Sequence, residues 1–158
     1  MKDKQCNDRV CIESLSQDYI EQYLEAFSES VRVPLRVQSI ESERDYLKQR
    51  MAQKAPFFFV ITIKQTGQLI GAIEIRDASH RSQLYCWINE KWWGSGLFQK
   101  VMELAAQRYF SHTENESISA RVDCSNKRSL HALEKNGFAL QGISLGSSEK
   151  QYSMVLKK

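Results

Sequence analysis

The residues with the clearest chemical meaning are Lys91-Trp92-Trp93-Gly94-Ser95-Gly96-Leu97-Phe98-Gln99, where two glycines flank one serine between a strand-like run and an amphipathic run. The first N–H groups of a helix have no partner inside it, and the helix dipole adds partial positive charge at the same end. An anion suits such a place, and glycine lets the backbone approach it with no Cβ in the way. The segment describes a phosphate cradle. A strand-to-helix turn that needs glycine only for its dihedrals is the equal alternative on this segment alone. A second cluster is Asn126-Lys127-Arg128-Ser129. Asn126 stands where a side chain caps a helix, and Ser129 carries a hydroxyl one turn further on.

Elements with the right periods surround both clusters. Gln83 to Asn89 reads as a strand, and Leu97, Val101, Leu104 and Arg108 repeat at helical spacing to about Phe110. Upstream, Arg9 to Leu15 alternates as a strand, and Ser16 or Asp18 can cap a helix carrying Ile20, Tyr23, Leu24 and Phe27. Val31 to Gln38, with Pro34, interrupts the pattern. Ser39-Ile40-Glu41-Ser42 opens a second helix to Gln53, with Tyr46, Leu47 and Met51 on its apolar side. Phe57 to Ile63 and Leu69 to Arg76 are strands joined by the hairpin turn Gln65-Thr66-Gly67-Gln68. Ser117 to Cys124 is a strand, Asn126 to Asn136 a helix closed by Gly137, and Phe138 to Leu145 with Gln151 to Leu156 a final hairpin. The order β-α-α-β-β-β-α-β-α-β-β predicts an α/β (α+β) fold, a mixed and mostly antiparallel sheet with helices on both faces.

At 158 residues the chain has the size of a single domain, 1–158. A formal charge of +3, with no basic run interleaved with aromatics, gives no support to nucleic acid as a partner. Cys6, Cys11, Cys86 and Cys124 form no C-x-x-C pair, and His80, His112 and His131 are not grouped with them, so no metal is expected. The start of the chain has no apolar leader and no run has the length of a membrane span. The expectation is a cytoplasmic protein that does not engage a membrane, with all four cysteines free thiols.

Trp87-Ile88-Asn89-Glu90-Lys91-Trp92-Trp93-Gly94-Ser95-Gly96, followed in this order by Asn126-Lys127-Arg128-Ser129-Leu130-His131-Ala132-Leu133-Glu134-Lys135-Asn136-Gly137-Phe138, resembles the GNAT superfamily of acetyl-CoA-dependent N-acetyltransferases. Within it, the likeness is to the RimJ/RimL-type protein N-terminal acetyltransferases, the ribosomal-protein alanine N-acetyltransferases. The resemblance runs over about Ile70 to Val155; before that it follows element order alone. It implies acetyl-CoA as cosubstrate, no metal, and a splayed central parallel strand pair. In that arrangement Trp87, Ile88 and Asn89 diverge from the strand Ser119 to Cys124 and pair with the pantetheine arm. Trp93, Gly94, Ser95, Gly96, Leu97 and Phe98 would wrap the pyrophosphate with main-chain N–H groups. Lys91 takes the place of the motif's Gln or Arg, keeping a cation but losing the planar donor fork. Asn126 would touch the cofactor arm as well as cap its helix, and Ser129 would donate to the departing CoA thiolate. Gln83 and Tyr85 stand where such enzymes commonly carry an acidic residue and a glycine, and Cys86 replaces the first aromatic, which implies a different acceptor geometry.

Direct transfer to an amine needs a neutral nucleophile, an oxyanion donor and an acid for the leaving thiolate. The backbone N–H near Ile88 could supply the oxyanion donor. An α-amine, with a reference pKa of about 7.7 to 8.0, needs far less help from a base than a lysine near 10.4. Glu74, between Ile73 and Ile75, points away from both and could take the proton, directly or through water. A solvent-facing charge is the equal reading of that residue. The family resemblance implies Glu149 as a second candidate, and Asp77 and Glu90 are further ones. Cys86 and Cys124 have no histidine neighbour in sequence to form a thiolate, which puts covalent catalysis behind direct transfer. Trp92 reads as packing or rim burial, and His131 as a surface residue.

Glu13, Asp18, Glu21, Glu25 and Glu29 precede Arg32 with no Lys or Arg from Cys11 to Val31. If this run borders the acceptor, its field attracts a cationic amine; a solvated helix face is the ordinary alternative. The predicted activity is acetylation of a primary amine, the α-amine of a protein N-terminus. The alternatives are a small amine (polyamine, amino sugar or amino acid) as acceptor, and a non-catalytic acetyl-CoA-binding sensor or interaction module. Oligomeric state is not written in the sequence.

Overall fold

The computed structural model describes residues 3–78, 81–145 and 150–158. The chain divides into two compact units, Met1–Glu74 with Cys86–Ala105, and Ile75–Tyr85 with Ala106–Lys158.

The first unit contains β1 (Gln5–Cys6), β2 (Val10–Ser14), α1 (Ile20–Ala26), α2 (Glu29–Arg32), α3 (Ile40–Ala52) and β3 (Phe58–Ile63). It also holds the first part of β4 (Leu69–Ala78), the last part of β5 (Arg81–Ile88) and the start of α4 (Leu97–His112). Its strands run antiparallel with Cys6 opposite Cys11, Val10 opposite Ile63, and Phe58 opposite Glu74. β3 is the apolar, β-branched run expected of a central strand, and every residue from Phe58 to Thr62 is buried. Ile20, Tyr23, Leu24 and Phe27 of the first helical stretch pack with Leu47, Phe58, Val60 and Trp87 into one core, as their spacing predicts. The capping box of α3 is present in both directions, Ser42 N donating to Ser39 Oγ at 3.0 Å and Ser39 N to Ser42 Oγ at 3.2 Å. The interruption predicted from Val31 begins only after Arg32. Glu29–Arg32 still forms a helical turn, and Arg36, at φ 60°, then reverses the chain.

The second unit holds the rest of β4, β5 and α4, with β6 (Ser117–Asp123), α5 (Lys127–Lys135), β7 (Ala139–Leu145) and β8 (Lys150–Lys157). β5 and β6 are parallel, registered at Gln83 and Ser119. Two hydroxyls lace them there, Ser82 Oγ donating to the Ser117 carbonyl at 2.8 Å and Ser119 Oγ to the Ser82 carbonyl. Ile118, Ala120 and Val122 alternate inward along β6, which pairs antiparallel with β8, Ala120 opposite Met154. Asn126 Oδ1 accepts from Ser129 N at 3.2 Å and caps α5; Gly137, at φ 88°, ends it.

The strands are hydrogen-bonded in the order β1-β2-β3-β4-β5-β6-β8-β7, an α/β fold with a mixed, mostly antiparallel sheet and one parallel pair, as predicted. One expectation is overturned: Cys6 and Cys11 are joined in a disulfide, while Cys86 and Cys124 are free. The strand β1 is only two residues long and leaves no periodic trace in the sequence, yet its antiparallel register puts Cys6 directly across from Cys11. Among the described residues, no helix is long and apolar enough to cross a membrane.

Candidate active site

The glycine turn is assembled from the end of β5 forward. Asn89 N donates to the Ile70 carbonyl at 2.8 Å, which holds the strand end against β4. Its side chain accepts from Lys91 N at 3.1 Å, capping the short 3-10 turn Glu90–Trp92, and donates to the Ala26 carbonyl at 2.8 Å. The turn itself follows, with Gly94 at φ 75° and Gly96 at φ 79°, left-handed conformations that glycine adopts without strain. A Cβ added at Gly94 would meet no heavy atom within 4 Å, so the space beside this backbone is open. Ser95 Oγ turns back to donate to the Trp92 carbonyl. The N–H groups of Gly94, Ser95, Gly96, Leu97 and Phe98 find no acceptor among the described residues. The first turn of α4 carries no acidic residue. Backbone donors, open space and the positive end of a sixteen-residue helix fit the diphosphate of a nucleotide-type cofactor.

Because Asn89 N points to β4, strand alternation turns the N–H and C=O of Ile88 away from β4. The Ile88 carbonyl accepts from Trp93 Nε1 at 2.7 Å, which ties the strand end to the start of the turn. Trp93 is thus a brace for the cradle. Trp87 is buried, its Nε1 donating to Tyr23 OH at 3.1 Å, and its ring stands edge-on to Tyr23 at 5.0 Å. Gly71, which sequence reading passes over, is essential to this geometry. An added Cβ would lie 2.2 Å from the Trp87 carbonyl oxygen and 3.1 Å from Ile88 Cα. Its only sequence signal is a glycine inside a strand pattern.

Lys91 is exposed and lines a cavity of about 200 Å³ with Gln22, Glu25 and Asn89. The cation in contact with the glycine turn is Arg9, whose Nη1 donates to the Ser95 carbonyl at 2.9 Å. In the second unit, Asn126 and Ser129 are brought together by the cap of α5, and both are half-buried.

Three of the carboxylates named as proton acceptors, Glu74, Asp77 and Glu90, have partners. Glu74 is neither on a solvent face nor idle. It is 3% exposed, its Oε1 accepting from Tyr46 OH at 2.7 Å and its Oε2 from Arg50 Nε at 2.8 Å. Glu43, on the same face of α3, accepts from Tyr23 OH at 2.9 Å. Burial raises its pKa, the bond from Tyr23 opposes that, and the nearby Glu74 charge adds to it. Asp77 accepts from Tyr109 OH at 2.6 Å. Glu90 accepts from Ser28 Oγ at 2.5 Å, which holds its carboxyl below the usual range. Glu149 lies outside the described residues. Burial pushes the Cys86 thiol up to about 12, so it is not a thiolate near neutral pH.

The sheet and the glycine turn together define an α/β protein with open backbone N–H groups at the start of a long helix. The profile of the acetyltransferase (GNAT) domain matches residues 9–139, and the chain belongs to that family. Its members use acetyl-CoA to acetylate amines. Comparison with curated protein sequences gives no match. Solved structures share the fold at low identity. A GNAT-family acetyltransferase from Bacillus anthracis superposes with a TM-score of 0.82 at 18% identity, covering 99% of this chain and 98% of its own. A ribosomal-protein alanine acetyltransferase from Vibrio fischeri gives 0.80 at 14%, covering 98% and 96%. A Vibrio cholerae spermidine N-acetyltransferase chimera gives 0.77 at 16%, covering 94% and 95%.

Proposed function

We propose that the protein transfers the acetyl group of acetyl-CoA directly to a primary amine, the α-amine of a protein N-terminus. The observation that carries the reading is the run of unpartnered N–H groups from Gly94 to Phe98, opening into free space at the start of α4. These groups, with the Trp93 brace, hold the diphosphate; Asn126 and Ser129 are assigned to the cofactor arm and its sulfur by family resemblance. When bound, acetyl-CoA supplies the thioester carbonyl that the amine attacks. The Ile88 N–H, facing away from β4, is assigned to the carbonyl oxygen, and the Ser129 hydroxyl to donation toward the leaving sulfur. Glu74, whose two oxygens accept from Tyr46 and Arg50, is assigned here to holding α3 on the sheet rather than to taking the amine proton. An α-amine fits this arrangement because a large share of it is neutral near pH 8 without a base.

Acetylation of a polyamine is the second reading. Glu25 and Glu29 are exposed, which favours a cationic acceptor, whereas Glu13 and Glu21 of the same acidic run are taken by Tyr19 and Arg44. Calorimetric titration with acetyl-CoA, with CoA as comparison, followed by CoA release over a panel of peptide N-termini and spermidine, tests both. Saturable binding with turnover of peptides supports the proposal. Turnover of spermidine alone supports the second reading, and binding without turnover makes the protein a sensor. A Gly94→Asp variant is expected to lose binding, since it adds strain and negative charge where the diphosphate sits.

A further inference from the structure

The β1–β2 hairpin lies far from the glycine turn in sequence, yet three successive residues of its turn reach the start of α4. Asn7 Nδ2 donates to the Lys100 carbonyl at 2.9 Å, Asp8 pairs with Lys100 Nζ at 3.1 Å, and Arg9 Nη1 donates to the Ser95 carbonyl at 2.9 Å. The hairpin turn is itself well ordered by its own bonds. Asn7 N donates to the Val10 carbonyl at 3.0 Å, and Asn7 Oδ1 accepts from Arg9 N and Val10 N, each at 3.1 Å. The Cys6–Cys11 disulfide closes the loop behind it.

We propose that Arg9 is a positioning residue of the cofactor cradle, presented by this hairpin; the inference rests on the acetyl-CoA reading above. A trans peptide carries its N–H opposite its C=O, and the chain has no cis bond among the described residues. A guanidinium fixed on the Ser95 carbonyl therefore turns the Gly96 N–H to the opposite side of the turn. Glycines at 94 and 96 leave the 95–96 peptide loosely determined by its own dihedrals, so an outside donor is needed to choose its orientation. Arg9 supplies that donor. Outside the neighbouring residues of the chain, the one heavy atom within 4 Å of a Cβ built on Gly96 is Arg9 Nη1, at 3.8 Å. The Asp8 carboxylate makes its ion pair with Lys100 and feels the Arg9 charge only at longer range, so among the described residues the hydrogen bond of the guanidinium is that to Ser95.

The test uses Arg9→Ala and Arg9→Lys in the full chain, with backbone NMR relaxation and amide shifts, and titration by acetyl-CoA and by acetylpantetheine, which has the arm without the diphosphate. In Arg9→Ala, the Gly96 amide shift is expected to move and the backbone order of Ser95 to Leu97 to fall, while β3 is unchanged. Its affinity for acetyl-CoA should fall about tenfold, the loss expected for one charge-assisted hydrogen bond. Affinity for acetylpantetheine should stay within about twofold, and Arg9→Lys, which keeps a donor, should recover part of the loss. Unchanged shift and order at Gly96 overturn the proposal whether or not acetyl-CoA binds. Equal losses for the two ligands overturn it as well, because general loosening of the fold would then be the cause. Failure of the unaltered protein to bind acetyl-CoA counts against the acetyl-CoA reading and leaves the relaxation result to decide the role of Arg9.

Discussion

Arg50 and Glu74 are joined beneath α3, Nε to Oε2 at 2.8 Å, with the second guanidinium nitrogen on the same oxygen and Tyr46 on the other. With side-chain exposures of 16% and 4%, both charges are largely removed from water. Removing one partner strands the other.

Glu74→Gln is therefore expected to lower stability by about 3 kcal/mol, the range for breaking a buried pair from one side. At temperatures where the variant is folded, its kcat and pH profile should match the parent's. Denaturant unfolding and initial rates check the two halves of this statement. A collapsed kcat with unchanged unfolding would instead make Glu74 the proton acceptor.

Gly71→Ala forces a methyl group onto the Trp87 carbonyl and the Ile88 backbone. Overpacking between two strands is expected to cost about 2 kcal/mol. Because Ile88 moves with it, kcat should fall further than stability alone accounts for. A variant as stable and as active as the parent would show that β4 and β5 can separate there without consequence.

Glu43 gives a pH dependence with a definite sign. Its folded pKa is raised, so the folded protein holds the proton more tightly than the unfolded chain does. The resulting stabilisation is full below the unfolded carboxyl pKa of about 4.3 and is lost as pH rises through the raised folded value. Glu43→Gln keeps an acceptor for Tyr23 OH and removes the titration. Its melting temperature relative to the parent should rise between mildly acidic and alkaline pH. A difference that is flat with pH, or opposite in slope, would rule out a buried carboxyl that resists ionisation.

Cys6 and Cys11 close a short loop, and reduction, or a double change to serine, is expected to cost about 2 kcal/mol by the loop-entropy relation. Under denaturing, non-reducing conditions a thiol reagent should titrate two cysteines, Cys86 and Cys124, and all four after reduction. Four reactive thiols before reduction would place the protein back among those with no disulfide. Because the same hairpin carries Arg9, reduction should also weaken acetyl-CoA binding in the direction of Arg9→Ala.

Much of the fold is legible in the sequence because its signals are local. The β-branched run of β3, the serine pair that opens α3, the Asn126 cap and Gly137 each act within a few residues, where backbone dihedrals and one hydrogen bond decide the outcome. Gly94 and Gly96 belong to the same class: their left-handed φ values follow from residue type and position in a turn. The inner face of α3 marks the limit. Periodicity identifies Leu47 as buried, but Glu43 is buried too, and Tyr46 and Arg50, which lie on the same helical face, turn their polar groups inward. A spacing rule assigns Glu43 and Arg50 to water, and it places Tyr46 on the apolar side without a partner for its hydroxyl.

Local order alone therefore determined most of the elements, their sequence and the glycine turn, but not the two-residue β1 or the helical turn Glu29–Arg32. Tertiary structure decided which charges meet: Arg50 on Glu74, Cys6 on Cys11, and Arg9, 86 residues from its partner, on Ser95. The reason is physical. A dihedral preference is a property of a residue and its neighbours, whereas a long side chain takes its partner only after the packing of whole elements has brought the two within hydrogen-bond reach.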